Sequence, residues 1–465
     1  MTNPDYLFPI EPSARQIARE LYSSIKSLPI ISPHGHTDPK WFSDNLNFAD
    51  PASLLVIPDH YILRMLYSQG VSLENLGRGD KKTLTPSDSE RIWQIFSRNY
   101  HLFRGTPTQA WLNFIFTNVF DLTEPLSSDT ADLYYETISE KLKLEDFKPR
   151  ELYKKFNIEV LATTDDATDT LNDHKKIRDS LWSGRVIPTF RPDKCLDPEH
   201  ESFKDHLILL AEITKEDTSR FSSYLRALKS RRQHFKNLGA TATDHGVPSA
   251  YTNLLSEREM QILLDKALTG QLLANEAQAF RGHMLIEMAK MSLDDELVMQ
   301  IHPGSYRNHN AHLFLHFGRD VGADIPQSTE YTQNLKPFLD AVGNEARLKV
   351  IIFTLDESRY STELAPLAGH YPCLKLGPAW WFHDSPEGLL RFRRLTTETA
   401  GFYNTVGFND DTRAFFSIPA RHDVARRIDC RFLSELVAEG RMSERDAFEV
   451  AQDLTYNLPK QSYNL

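Results

Sequence analysis

The chain has 465 residues, 40% of them hydrophobic and 25% charged, the proportions of a folded globular protein and not of a disordered one. Its 53 basic residues face 64 acidic ones, a formal net charge of −11 that argues against binding a nucleic-acid backbone. No apolar run approaches the ~20 residues of a membrane span, and no basic segment followed by an apolar run opens the chain as a secretory signal would.

The first short, β-rich apolar run covers residues 28–36 and ends in His34-Gly35-His36. The segment from about 40 to 150 is too long to be one crossover helix. Within it Ser87-Asp88-Ser89-Glu90 has a capping-box pattern, with Ile92, Ile95, Phe96 and Phe103 following at helical spacing, and 131–142 reads as a helix. Runs at 158–164 and 186–192 follow, then a second long connection at about 195–235 whose 217–236 stretch has helical periodicity. Another run at 238–245, helical spacing over 255–291, and runs at 297–302, 348–355 and 371–377 come next. A helix over 386–400 leads into the last run, 403–411, and residues 422–457 form a helical C-terminus, with a new helix near Ser443 and a stop before Pro459.

Eight apolar runs alternate with helical segments. Most are near-continuous rather than alternating, as strands buried on both faces are. Strand–helix alternation implies parallel strands with right-handed crossovers, and eight units make a (β/α)8 TIM-type barrel in the α/β class. One barrel domain over 1–465 is expected, with the 40–150 insertion lying over the C-terminal mouth, because a βα connection starts on that face. Cys195, Cys373 and Cys430 are odd in number and widely spaced. They offer neither a disulfide framework nor a zinc knuckle and read as buried small hydrophobes of a cytoplasmic protein.

In such a barrel, polar residues at strand C-termini are the catalytic candidates. Alternate strand residues point the same way, so His34 and His36 both face the axis and suit a Zn2+-type divalent cation. The eighth run ends in Asp410-Asp411-Thr412-Arg413, next to the first around the closed barrel. Its carboxylate can complete a metal site or take a proton; Asp411 is favoured, with Asp410 open by a one-residue register shift. Arg191 and Arg307, at the ends of the third and fifth runs, suit an anionic substrate, and a salt-bridged surface role is the alternative. Asp244-His245 follow the fourth run, as site residues or a capped turn. Trp380-Trp381-Phe382 form either a sugar-stacking wall or core. A binuclear hydrolase would also need a histidine on strand six and a bridging lysine or glutamate on strand four, and neither is there.

Taken together, the chain resembles the uronate (glucuronate) isomerase family of the amidohydrolase superfamily. The resemblance spans nearly the whole length and rests on His34-Gly-His36, Asp59-His60-Tyr61 with Arg64, Thr164-Asp-Asp166, Pro188-Thr-Phe-Arg191-Pro-Asp193 and Asp244-His245-Gly246. It continues through Gln300-Ile-His302-Pro-Gly-Ser-Tyr-Arg307-Asn, Trp380-Trp381-Phe382, Asp411-Thr-Arg413 and Arg421-His422. Departures are Pro33, Pro303 and the doubled aspartate. The resemblance implies an aldose–ketose isomerase of carbohydrate metabolism that interconverts D-glucuronate with D-fructuronate and D-galacturonate with D-tagaturonate. A proton moves between C2 and C1 through an enediolate. By the same resemblance His34, His36 and Asp411 are metal ligands or near-ligands, and Asp411 or Tyr61 is the base. Arg413 pairs with the base or the enediolate. Arg191, Arg307 and His60 hold the substrate carboxylate, and His302 bonds its hydroxyls. Asp244 and Trp381 complete the substrate-binding set. A tyrosine base requires a neighbouring cation that lowers its pKa from ~10; without one, Asp411 takes the role. The competing function is a mononuclear metal-dependent hydrolase of a sugar-acid lactone, ester or amide. The expected partner is a small-molecule hexuronate, with neither nucleic acid nor membrane, and the fold leaves room for a homo-oligomer.

Overall fold

A computed structural model describes residues 3–79 and 84–465. Seven parallel strands occupy the first seven predicted positions: β1 (Ile30–Ser32), β2 (Ile158–Ala162), β3 (Arg185–Ile187), β4 (Ala242–Val247), β5 (Val298–Pro303), β6 (Val350–Ile352) and β7 (Leu374–Leu376). Each pairs with the next in chain order. β2 and β3 continue as the short pair Asp165–Asp166 and Phe190–Arg191, and Phe190 pairs with Thr243 of β4. Every residue of β5 is buried, including Gln300 and His302, as expected of a strand covered on both faces.

The eighth position differs from the expectation. Of the 403–411 run only Thr405 makes a ladder contact, one parallel bridge to Leu376. Gly407 has φ +79°, outside the β region, and breaks the strand just after that bridge. The barrel closes further along, where the His36 amide donates to the Thr412 carbonyl at 2.9 Å.

The connection between β1 and β2 is helical: Pro39–Asp44, Pro51–Leu55, His60–Ser68, Pro86–Arg98, Pro107–Asn118, Ala131–Leu142 and Pro149–Lys155. These helices share an aromatic-rich core, with Trp93, Phe96, Phe103, Phe116 and Phe120 fully buried. The helix after residue 84 begins two residues earlier than predicted. Thr85, not Ser87, is the N-cap, in a capping box with Asp88, because Pro86 is pre-organised for the first helical position. Similarly, 255–291 is two helices, Glu257–Thr269 and Ala274–Asp295, separated where Gly270 adopts φ +74°.

At the C-terminus the helix Ile418–Ala438 packs on Pro12–Ile25 and Pro386–Ala400. Ser443 caps Glu444–Gln452, as its position in the sequence predicted. Pro459 does not stop a helix; it sits in the first turn of Leu458–Ser462, where its missing N–H costs nothing. The final residues close the barrel from the end opposite the histidines. Tyr463 is fully buried; its hydroxyl donates to Gln300 Oε1 at 3.2 Å and accepts from Asn409 Nδ2 at 3.1 Å. Among the described residues no helix is long and apolar enough to cross a membrane.

Candidate active site

A cavity of about 910 Å³ opens at the C-terminal ends of the strands. Its lining includes His34, His36, His60, Tyr61, Arg191, Asp244, His302, Arg307, Trp381, Asp411 and Arg413. Every residue expected at the site is therefore at one cavity, although these residues come from seven separate stretches of chain.

Asp411 and the two imidazoles form its floor. Asp411 Oδ1 lies 3.4 Å from His34 Nε2 and 3.1 Å from His36 Nε2. Burial alone would push this carboxyl up, but the imidazoles beside it hold it well below the ordinary range. Burial disfavours charge on His34 too, yet the carboxylates of Asp411 and Asp244 outweigh it and raise its pKa, whereas burial dominates at His36 and lowers it. Asp411 sits at φ 36°, in the left-handed region that aspartate tolerates better than most residues. Asp410 faces away: its Oδ2 meets His422 Nε2 at 3.0 Å, and it does not line the cavity.

His302 connects this floor to the arginine wall. Its Nδ1 lies 2.7 Å from Asp244 Oδ1, and its ring stacks between His34 (centroids 4.9 Å) and Phe353 (3.9 Å). Burial lowers its pKa, so at neutral pH Nδ1 carries the proton to Asp244 and Nε2 is left as an acceptor. Two buried ring nitrogens, His34 Nδ1 and His302 Nε2, have no hydrogen-bond partner among the described residues. Two overlapping sets, His34–His36–Asp411 and His34–Asp244–His302, each bring one donor atom per residue to within 4.8 Å of the others. Nitrogen and carboxylate donors with orphaned lone pairs suit a divalent cation such as Zn2+.

The arginines both face the cavity and are salt-bridged, because each arrives with an acid. Arg191 donates through Nε to Asp193 Oδ2 at 2.8 Å and its Nη1 lies 3.1 Å from Asp244 Oδ2. Gly246 leaves room for that arrangement: a Cβ there would lie 2.5 Å from Arg191 Nη2 and 2.9 Å from Asp193 Oδ2, so those groups would have to shift. Arg307 Nη1 donates to Asp324 at 2.8 Å, with its guanidinium 5.1 Å above the Trp381 ring. Arg413 Nη2 sits 3.0 Å from Asp320. A guanidinium has five donors, so each retains N–H groups for a ligand, but the wall carries compensated charge and not a positive excess.

The insertion supplies the lid side. Asp59 caps the helix His60–Ser68, accepting from the Tyr61 and Ile62 amides, and so fixes His60 and Tyr61 over the cavity. His60 stacks on Tyr61 (4.6 Å) and meets Trp381 edge-on (5.4 Å), so Trp381 is wall rather than core. Burial pushes His60 down to about 3, so it is a neutral imidazole in this setting. The Tyr61 hydroxyl donates to the Trp381 carbonyl at 3.1 Å, and burial raises its pKa despite the Arg421 guanidinium 5.6 Å from its ring. The cation that a tyrosine base requires is present but insufficient.

Sequence reasoning missed the acids that neutralise the wall. Asp320 and Asp324 lie on a loop after β5 that has no periodicity, and Asp384 pairs with Arg421 from the segment after Trp381. Only the proximity of these aspartates to the predicted Arg and Trp motifs hinted at them. His245, weighed with Asp244, points out of the cavity toward Thr243 Oγ1 at 3.0 Å.

Comparison with known proteins agrees with the geometry. The glucuronate isomerase family model matches residues 8–463. A uronate isomerase of Phenylobacterium zucineum (strain HLK1) is 58% identical over 463 residues, covering 100% of this chain and 96% of the relative. The crystal structure of a glucuronate isomerase from Caulobacter crescentus superposes with TM-score 0.98 at 54% identity, over 100% of this chain and 97% of the other. A uronate isomerase structure from Thermotoga maritima matches at TM-score 0.93 and 27% identity, over 100% and 99%. With its barrel, its cavity and its full length accounted for, the chain belongs to the glucuronate isomerase family.

Proposed function

We propose that this protein is a uronate isomerase, interconverting aldose and ketose hexuronates (D-glucuronate with D-fructuronate, D-galacturonate with D-tagaturonate). The observation that carries the reading is the meeting, in one cavity, of a carboxylate held ionised by two imidazoles and a wall of arginines with spare donors. Sequence similarity over the entire chain to proteins of that name supports it.

The reaction exchanges a C2–H bond for a C1–H bond. Asp411 is the base: it is ionised at neutral pH and belongs to the cavity floor. Both imidazoles engage its Oδ1, and Oδ2 is the oxygen that takes the C2 proton and returns it to C1. As the C2 proton leaves, negative charge develops on the carbonyl oxygen at C1, where fixed donors lower the barrier. Arg413, beside Asp320, supplies such donors. The O2 hydroxyl proton must move to O1, and His302 Nε2 is the acceptor placed to carry it, with Asp244 holding the ring in the required tautomer. Arg191, Arg307 and the neutral His60 hold the C6 carboxylate, and Trp381 packs the sugar face. Tyr61, with a raised pKa and its hydroxyl hydrogen-bonded to the Trp381 carbonyl, orients the lid and excludes water.

His34, His36 and Asp411 would hold a divalent cation, as would His34 with Asp244 and His302. When bound, it would supply Lewis acidity and positive charge to the site. The three cysteines are buried and unpaired, which fits a reducing cytoplasm. The same ligands could activate water in a hydrolase, the competing reading. A screen of hexuronates for ketose formation, with metal analysis of the same sample, tests the proposal. Ketose from glucuronate or galacturonate is expected; hydrolysis of a sugar-acid lactone without ketose would replace it.

A further inference from the structure

A second cavity, of about 380 Å³, lies within the insertion, away from the barrel mouth. Its walls are the end of the helix Pro86–Arg98, the turn Tyr100–Phe103 and one face of the helix Pro107–Asn118. The floor is aromatic: Tyr100, Phe116 and Tyr134 are all buried. Ser97, 1% exposed, is among the residues lining this cavity, and its hydroxyl oxygen has no hydrogen-bond partner among the described residues. A buried hydroxyl normally has a hydrogen-bond partner.

At the rim stand Arg98 and Arg104. Neither makes an ion pair within 4 Å among the described residues, in a protein where every arginine of the active-site wall does. Glu124 is the one acidic residue in the lining. An aromatic floor, an orphaned hydroxyl and two unpaired guanidinium forks match a compact ligand with a ring or polyol body and one anionic end.

The two walls reach the active site from behind. On Pro107–Asn118 the cavity face carries Asn113, Phe116 and Thr117, while Trp111, about half a helical turn away from Asn113, lies 3.6 Å beneath the Arg421 guanidinium and 5.7 Å from the Tyr61 ring. The turn Tyr100–Phe103 packs on the helix that begins with His60 and Tyr61.

We propose that this cavity is an effector site for a small organic anion, a phosphorylated or carboxylated sugar or polyol, whose occupancy alters uronate binding through the helix bearing Trp111. The binding half stands apart from the isomerase reading, because its readout is heat and not turnover.

The test is titration calorimetry on the full chain without hexuronate, with any binding of a probe at the active site scored separately as competitive inhibition of turnover. The probes are D-glucose 6-phosphate and D-gluconate, with D-glucose as the uncharged control. At least one anion should bind saturably and glucose should not; which of the two binds separates phosphate from carboxylate. Arg98→Ala/Arg104→Ala should weaken that binding at least ~10-fold while leaving the rate without probe unchanged. Ser97→Ala should weaken it several-fold, and Glu124→Gln should tighten it. In wild type the bound probe should shift KM for glucuronate at least about twofold, and the double variant should abolish the shift. Absence of binding by either anion, or binding that survives the double variant, overturns the site. Binding with an unmoved KM overturns the coupling.

Discussion

Asp411→Asn is the sharpest perturbation of the proposed chemistry, because it keeps the side chain's size and removes its charge. In the wild type, Asp411 Oδ1 faces two imidazole nitrogens at 3.4 and 3.1 Å, and their influence keeps it ionised against burial. An amide cannot accept the C2 proton and leaves His34 and His36 facing a neutral group. The loss of a positioned general base is worth ~100-fold or more in turnover, equivalent to about 2.7 kcal/mol of barrier at 1.36 kcal/mol per factor of ten. Asp410→Asn is the matched control. Asp410 is more deeply buried than Asp411 and is bonded to His422 at 3.0 Å, outside the cavity, so its loss should act on stability first. The assay is the initial rate of ketose formation from D-glucuronate at saturating substrate, with thermal unfolding of both variants measured in parallel. A smaller turnover loss in Asp411→Asn than in a folded Asp410→Asn would refute the assignment of the base.

Three further outcomes follow from the geometry. Arg191→Ala removes the cation between Asp193 and Asp244 and should weaken hexuronate binding by about 2–5 kcal/mol; an unchanged KM would remove Arg191 from the substrate wall. Tyr61→Phe deletes only the bond to the Trp381 carbonyl, so turnover should fall less than about tenfold, and a loss of 100-fold or more would restore the tyrosine as base. Asp165, buried beside Thr163 and His174, has its carboxyl pushed up from 3.8 to about 7 by burial. The folded chain therefore holds this proton more tightly than the unfolded chain, and Asp165 costs stability progressively as pH rises from about 4 to about 7, by an upper bound of about 4 kcal/mol. Asp165→Asn should gain stability relative to wild type between pH 5 and pH 8 in urea unfolding; a difference flat in pH would contradict the raised value.

The barrel was legible in the sequence because eight short, mostly apolar runs alternate with helical segments; the recurrence carries it, since a single short apolar run does not by itself separate strand from helix. The eighth strand was legible as a position and not as a ladder. Gly407 and Asp411 adopt positive φ, and a hydrophobicity pattern does not register φ. The cap at Thr85 was missed for a local reason: Thr85 and Ser87 both precede an acidic residue three positions on, and Pro86 decides between them. At the site, His34, His36 and Asp411 were readable because strand-end position dictates where their side chains point. The acids that neutralise Arg307 and Arg413 were not, since Asp320 and Asp324 reach the cavity from an irregular loop whose path depends on tertiary packing. Gly322 shows how closely that loop is seated: a Cβ there would lie 2.8 Å from the His60 carbonyl.

The account depends most directly on hydrogen leaving C2 of the sugar acid. D-Glucuronate deuterated at C2 should be followed by NMR in ordinary water with the wild-type protein. The wild-type protein should give a ketose whose C1 carries deuterium transferred from C2, or hydrogen from water after exchange at the base, in which case the label is also lost from the residual glucuronate. Glucuronate that keeps its C2 label indefinitely, with no ketose formed, would contradict it.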